Sequence, residues 1–501
     1  MQRYDAVIIG SGLAGMLSAV FLAREGMRVA LIEQNKQLGG CLQSFSFQKK
    51  VFDSCVHYLG SLEEGQTQDR IFRYAGIRND LRMKRLEIDG FDRIIQDETT
   101  TEFPLAQGMD NFCRQLSEYF PQEQQSILRY TTLLQEVASC FPLFNLRNGD
   151  PSLKDRVSSW ELASVIQSIG SVQLQRVLTG NSLLYAGCRH STPFYVHSLV
   201  NKSYIDSAYK CEGGSSQIAL LLLRQLRSLG ADVFRREEVI RLHEEGGLIR
   251  SAHTASGLVF EGRQFIANVH PAKVMDWIDS RLIKNVYRNR VRSAGNSVSA
   301  FMVNIVLEPG SVVYPNSNVY WNRGDSLHAT SYLPEHWPVN YAIYYNEDKA
   351  RPGFAETVSL LSYMHADETT PWWNTRNITA APRMRSRQYD DFKETKAEQL
   401  LNRVAERYPE IKANMRSIQV ATPLTFRDYM GSPDGSMYGI MADIRQPAAS
   451  RIPVRTKIPN LLLTGQNIGL HGVLGVSINA VAVSGELLGL DYLLGRINRN
   501  L

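Results

Sequence analysis

Apolar positions change period twice within the first thirty-three residues. Tyr4 and Ala6 to Ile9 make a short, nearly unbroken apolar run, the pattern of a strand buried on both faces. Leu13, Met16, Leu17, Val20 and Phe21 then recur at helical spacing, and Gly26 marks the stop. Arg28 to Glu33 returns to a strand pattern that ends in an acid. The spacing predicts a βαβ unit with Gly10, Gly12 and Gly15 between its first strand and its helix.

Each residue of that turn has a physical job. Gly10 permits a sharp exit from the strand, Gly12 lets a pyrophosphate approach the backbone, and Gly15 lets the helix pack closely. The helix N-terminus offers free N–H groups to phosphates. Glu33 is placed to accept hydrogen bonds from ribose hydroxyls and to repel a 2′-phosphate. Leu13, Ala14 and Gln34 complete the candidate cofactor-binding set at this end. The motif alone leaves FAD and NAD both open.

Further on, 66–204 reads as mostly helical, with Pro121 opening one helix and 160–178 forming another. A helix over 218–229, capped by Ser215 or Ser216 and stopped at Gly230, precedes strands near Val233 and over 239–242. Alternating patterns at 299–307, 319–321, 341–345 and 357–363 predict an antiparallel sheet. Its aromatics, Tyr320, Trp321, Trp337, Tyr341, Tyr344 and Tyr345, would either line an apolar tunnel or pack as core. Near the C-terminus, 460–464 reads as a buried strand running into Gly465 and Gln466. Gly469, His471, Gly472 and Gly475 then lead to a small-residue helix over 477–488.

Composition narrows the classes. The 501 residues are 44% hydrophobic and 21% charged, enough for more than one core. A net charge of +5, with no basic run, argues against a nucleic-acid partner. Six cysteines without a CxxC pair read as reduced thiols in a cytoplasmic protein. No signal peptide and no apolar run long enough to span a bilayer is read, so the expectation is a soluble or peripherally membrane-bound chain. No metal-site, GxSxG or P-loop spacing occurs.

Two motifs remain: Leu38-Gly39-Gly40, and Phe52-Asp53 followed by His57-Tyr58-Leu59-Gly60. Alone, the glycine pair is either a loop turn or a close approach to a large cofactor. Asp53 and His57 are either a proton-transfer pair or structural, with Asp53 capping a turn. Taken with the βαβ unit, the set resembles the FAD-dependent phytoene desaturase, carotenoid isomerase and retinol saturase family, within the amine oxidase-like flavoproteins. The His-Tyr-x-Gly ending resembles the retinol saturase branch most, although Cys55 stands where that pattern has Gly.

The resemblance implies an α/β fold: a Rossmann-type FAD-binding domain interleaved with an α+β substrate domain containing an antiparallel sheet. Residues 1–65, 205–295 and 416–501 would form the first, and 66–204 and 296–415 the second. It implies that Val239 touches the adenine end. Gly465, Gln466, Gly472, Val473 and Leu474 would close the site, with Gln466 where many relatives have an acid. FAD would be non-covalent and carry the chemistry, the substrate would be an apolar polyene or isoprenoid, and His57 is a candidate catalytic residue. Without a second GxGxxG, an external electron donor or acceptor is expected. Peripheral membrane docking through Phe141, Leu143 and Phe144 beside Arg147 is a further expectation. The rival readings are a flavin amine oxidase and a non-catalytic FAD-binding protein.

Overall fold

In the computed structural model, which describes residues 3–378 and 382–499, the N-terminal unit forms as the apolar pattern predicts. It comprises β1 (Arg3–Ile9), α1 (Leu13–Arg24) and β2 (Val29–Glu33), with Gly26 at positive φ just past the helix. β1 lies inside a seven-stranded sheet, parallel to β2 on one side and to Val259–Ala267 on the other. Its residues 6–9 are buried, which explains why they read as a continuous apolar run. Leu461–Leu463 joins the same sheet parallel to Val259–Ala267. Register puts Ile9, Ile32, Ala267 and Leu463 level with one another at the carboxyl ends of four parallel strands.

The second sheet also has seven strands. Their order is Met415–Ala421, Ser299–Leu307, Ala355–Met364, Asn340–Glu347, Asn318–Asn322, Asp92–Gln96 and Phe103–Leu105. The four predicted strands lie in its middle. It departs from the expected antiparallel sheet at one place, where Asn318–Asn322 runs parallel to Asp92–Gln96. Asp92–Gln96 and Phe103–Leu105 come from the 66–204 region, which is therefore not helix alone. The predicted 160–178 helix is divided into Leu162–Gln167 and Val172–Leu178, with Gly170 at positive φ between them.

The six sheet aromatics are all buried. Trp321 stacks on Tyr341 with ring centres 5.0 Å apart, and Trp337 Nε1–H donates to the Tyr363 carbonyl at 2.6 Å. They form core rather than an open tunnel. Around them lies a buried polar network. Tyr58 O–H donates to Asp92 at 2.8 Å and is joined to Tyr320 at 2.8 Å. Asn318 donates to the other Asp92 oxygen at 2.9 Å. Burial nevertheless pushes the Asp92 carboxyl up to about 7.

The helix Ser216–Ser228 is capped from outside. Ser215 makes no side-chain cap. Instead Asp53, ending β4 (Lys50–Asp53), accepts from Ser215 N–H at 2.6 Å and Ser215 O–H at 2.8 Å. Ser44, starting β3 (Ser44–Phe47), accepts from Ser216 N–H at 3.1 Å and donates to Asp53 at 2.8 Å. Asp53 is a capping residue. At the expected membrane patch, Phe144 is buried and Phe141 and Leu143 are half-buried against the core, so no exposed apolar cluster forms there. Among the described residues no helix is long and apolar enough to cross a membrane.

Candidate cofactor and active site

The four strand ends that share a level open into one cavity of about 430 Å³. Clefts at the carboxyl ends of parallel strands are where doubly wound sheets bind ligands. After Ile9 comes the glycine turn, after Ile32 comes Glu33, after Ala267 comes Asn268, and after Leu463 come Thr464 and Gly465. All of these follow-on residues line the cavity. Gly10, Gly12, Leu13, Gln34, Gly39, Gly40, Val239, Gln466, Gly472 and Val473 line it too. Segments more than four hundred residues apart thus share one wall.

Three expected residues do not reach that wall. Ala14 and Gly15 are buried in α1, and Leu474 is buried on the inner side of the helix Gly472–Leu488. Gly15 acts by absence of a side chain: a Cβ there would sit 2.1 Å from the Gly10 carbonyl oxygen. The Gly39–Gly40 pair folds back on the glycine turn. Gly39 N–H donates to the Ser11 carbonyl at 3.1 Å, and a Cβ on Gly40 would come 3.2 Å from Gly12 Cα. It is a turn and a wall of the cavity at once.

Glu33 is buried, and its carboxylate organises the turn. It accepts from Ser11 N–H at 2.9 Å, Ser11 O–H at 2.6 Å and Asn35 N–H at 2.8 Å. Glu238 and Lys273 line the same end, where burial holds the Lys273 ammonium below its usual range. At the far end the helix Gly472–Leu488 begins, five residues earlier than its pattern suggests. Its residues Gly472, Val473 and Val476 line the cavity. Asn479 ties the preceding loop by donating to the carbonyls of Gly465 at 3.1 Å and Leu470 at 2.9 Å.

Met437 and Tyr438 complete the apolar end, with Val56, Cys41 and Cys55. Tyr438 O–H donates to the Leu183 carbonyl at 2.6 Å, and its ring lies 4.5 Å from that of His471. His57 lies behind this wall. Its ring stacks on Tyr344 with centres 4.0 Å apart and planes 5° from parallel, and its Nε2 has no partner. Burial first, and then the charge of Lys210, lowers the His57 pKa to about 3, so the ring is neutral at physiological pH.

Asn268 escapes a reading of the sequence. It donates through Nδ2 to the Gly10 carbonyl at 3.2 Å and lies against Gly12, Gly15 and Gly465. Its only local signal is a position just after a strand, and nothing in the sequence says that this strand is the neighbour of β1. The fit of a dinucleotide rests on the cavity's own features. A glycine turn leads into a helix N-terminus, and an acid ends the next strand. The Thr464 hydroxyl, on the wall, is buried without a partner.

Comparison with known proteins agrees with this geometry. The NAD(P)-binding Rossmann-like domain family matches residues 8–75. Human all-trans-retinol 13,14-reductase is 26% identical over 97% of this chain and 86% of its own length. A prolycopene isomerase of an Oncidium hybrid cultivar is 30% identical over 29% of this chain and 24% of its own. Among solved structures, an oxidoreductase from Methanosarcina mazei superposes with a TM-score of 0.66 at 14% identity, covering 96% of this chain and 99% of its own. Cyclohexylamine oxidase from Brevibacterium oxydans gives 0.62 at 15% identity, covering 97% and 100%. The resemblance read from the motifs therefore extends over almost the whole chain: it is similar to the all-trans-retinol 13,14-reductases and shares the α/β fold of these oxidoreductases.

Proposed function

We propose that this protein is an FAD-dependent oxidoreductase that acts on carbon–carbon bonds of an apolar polyene or isoprenoid, as a saturase in the manner of its retinol reductase relatives. The single cavity assembled from β1, β2, Asn268 and the C-terminal helix carries the reading. Similarity to the retinol reductases over 97% of the chain, and to a prolycopene isomerase over 29% of it, supports the substrate class. A cavity lined by the glycine turn and Glu33 as well as by Val56, Met437 and Val476 suits a dinucleotide with polar and apolar parts.

In this reading Gly10, Gly12 and the α1 N-terminus hold the pyrophosphate, and Glu33, Gln34 and Val239 the adenosine. Gly39, Gly40, Gly465 and Gln466 flank the ribityl chain. Gly472 and Val473, at a helix N-terminus that favours negative charge, would hold the pyrimidine edge. The flavin, when bound, supplies hydride transfer to or from carbon. Val56, Met437, Tyr438, Val473 and Val476 keep that end dry. Tyr438, fixed by Leu183, sets the shape of the wall. An acid–base role for His57 would require its ring to leave the Tyr344 stack. The FAD is bound non-covalently in this reading, with Cys41 and Cys55 on the wall as free thiols.

The test is direct. Purified protein should be yellow, and acid precipitation should release its FAD into the supernatant. Reduced enzyme supplied with retinol should yield a product two hydrogens heavier by mass spectrometry. Turnover of amines with no change in polyenes would instead establish the amine oxidase reading. Bound FAD that neither photoreduces nor reoxidises would establish the non-catalytic one.

A further inference from the structure

A second cavity, of about 290 Å³, has no part in the chemistry above and lies at the tip of the β3–β4 hairpin. Lys49, Lys50, Pro309, Asp348, Glu356 and Arg416 help to line it. Lys50 pairs with Glu356 at 2.7 Å, and Asp348 lies 3.8 Å from Arg351. Lys49 and Arg416 are exposed and form no ion pair among the described residues. The cavity therefore carries two uncompensated cations. Gln48 and Lys49 make the hairpin turn at φ 50° and 63°, a left-handed backbone that suits Asn-Gly better than a long side chain. A lysine kept there at a cost in strain points to a use for its ammonium.

Beside the cavity two tight loops meet. Tyr314 N–H donates to the Gly353 carbonyl at 2.9 Å, and Ala355 N–H to the Val312 carbonyl at 2.8 Å. Together they present Val313, 69% exposed, and Phe354, 36% exposed, with Pro309, Pro315 and Pro352 exposed around them. Lys349 and Arg351 flank this apolar tip, and the exposed acids Glu212 and Glu308 lie outside the cavity. The other exposed basic stretch, 281–292, is different. Its Arg288 and Arg290 donate to the carbonyls of Met275, Ile278 and Ala448, and its Arg292 pairs with Asp276.

We propose that the hairpin tip and the two loops dock the protein on an anionic phospholipid bilayer. Lys49 and Arg416 take a headgroup phosphate in the cavity, and Val313, Pro352 and Phe354 enter the interfacial layer. The feet of the same hairpin, Cys41 and Leu42 before β3 and Cys55 and Val56 after β4, line the cofactor cavity. Four residues of strand span roughly 13 Å, so a docked bilayer lies about one hairpin from that wall. Delivery of an apolar substrate there rests on the polyene reading; the docking itself does not.

Flotation of the full-length, FAD-loaded protein with vesicles tests it. Wild type should bind phosphatidylcholine–phosphatidylserine vesicles at least ~10-fold better than phosphatidylcholine alone. Lys49→Gln and Arg416→Gln should each weaken binding to the anionic vesicles about fivefold, and together about 25-fold. Val313→Ser, at an exposed side chain, should weaken it about threefold. Urea midpoints and FAD content should not change in any of them. Arg281→Gln with Lys284→Gln, on the other basic stretch, should bind as wild type does. Protein that stays at the bottom with both vesicles, or hairpin variants that float like wild type, would overturn the docking surface. Reduction of retinol from detergent micelles is measured separately and should not differ between wild type and Lys49→Gln/Arg416→Gln. Protein that docks as expected but reduces no polyene would overturn the polyene reading and leave the docking surface standing.

Discussion

Glu33 offers the sharpest test of how the cavity works, because its carboxylate serves the fold before it serves a ligand. It is 6% exposed and accepts hydrogen bonds from Ser11 N–H, Ser11 O–H and Asn35 N–H. Glu33→Ala removes all three and strands two backbone N–H groups. A hydrogen bond to a charged group contributes about 1.5–3 kcal/mol, and a stranded buried donor costs about 1–3 kcal/mol. These losses overlap, since they describe the same groups, so a net loss of about 2–4 kcal/mol of apoprotein stability is expected. If Glu33 also binds the ribose, as proposed, the variant should bind FAD at least ~10-fold more weakly, or by about 1.4 kcal/mol. Glu33→Gln keeps the shape and one acceptor but loses the charge, so it should fall between wild type and Glu33→Ala on both scales. Urea unfolding of apoprotein and equilibrium titration with FAD give the two numbers separately. An unchanged dissociation constant in Glu33→Ala would refute the binding role. Unchanged apoprotein stability would refute the structural one.

Other outcomes follow from the same geometry. Gly15→Ala forces a Cβ to 2.1 Å from the Gly10 carbonyl, so it should destabilise even the apoprotein by about 1–3 kcal/mol or more; an unaltered urea midpoint would contradict that packing. Asp92 ionises near 7 in the fold against about 3.9 unfolded. The folded state therefore holds the proton more tightly, and the stability this contributes is complete below the unfolded value and is lost as pH rises through about 7. Asp92→Asn should flatten the fall in stability between about pH 4 and 7, and parallel pH profiles in wild type and variant would count against it. His57→Phe preserves the stack on Tyr344, so FAD binding should persist and turnover should stay within about tenfold of wild type; a loss of ~100-fold or more would assign the imidazole an acid–base role.

The sequence by itself determined the parts whose cause is local. Apolar period located β1, α1, β2 and the four central strands of the second sheet, because each buries a face of its own. Glycine spacing and Glu33 marked the dinucleotide turn, because its geometry depends on a few consecutive residues. Even there, the partners of Glu33 were out of reach of the spacing. The tertiary structure alone decided which segments share a wall. Asn268 reaches the glycine turn only because Val259–Ala267 docks in parallel beside β1, and a strand's own residues do not name its neighbour. The cap on Ser216–Ser228 comes from Asp53 and Ser44, more than one hundred and fifty residues earlier, so a sequence that offers Asp53 as a local turn cap does not name the helix it caps. The helical pattern of 66–204 hid Asp92–Gln96, which becomes a strand because Asn318–Asn322 leaves it an open edge. The aromatics that alternate along the sheet proved to be core, since alternation reports burial and not what lies on the buried side.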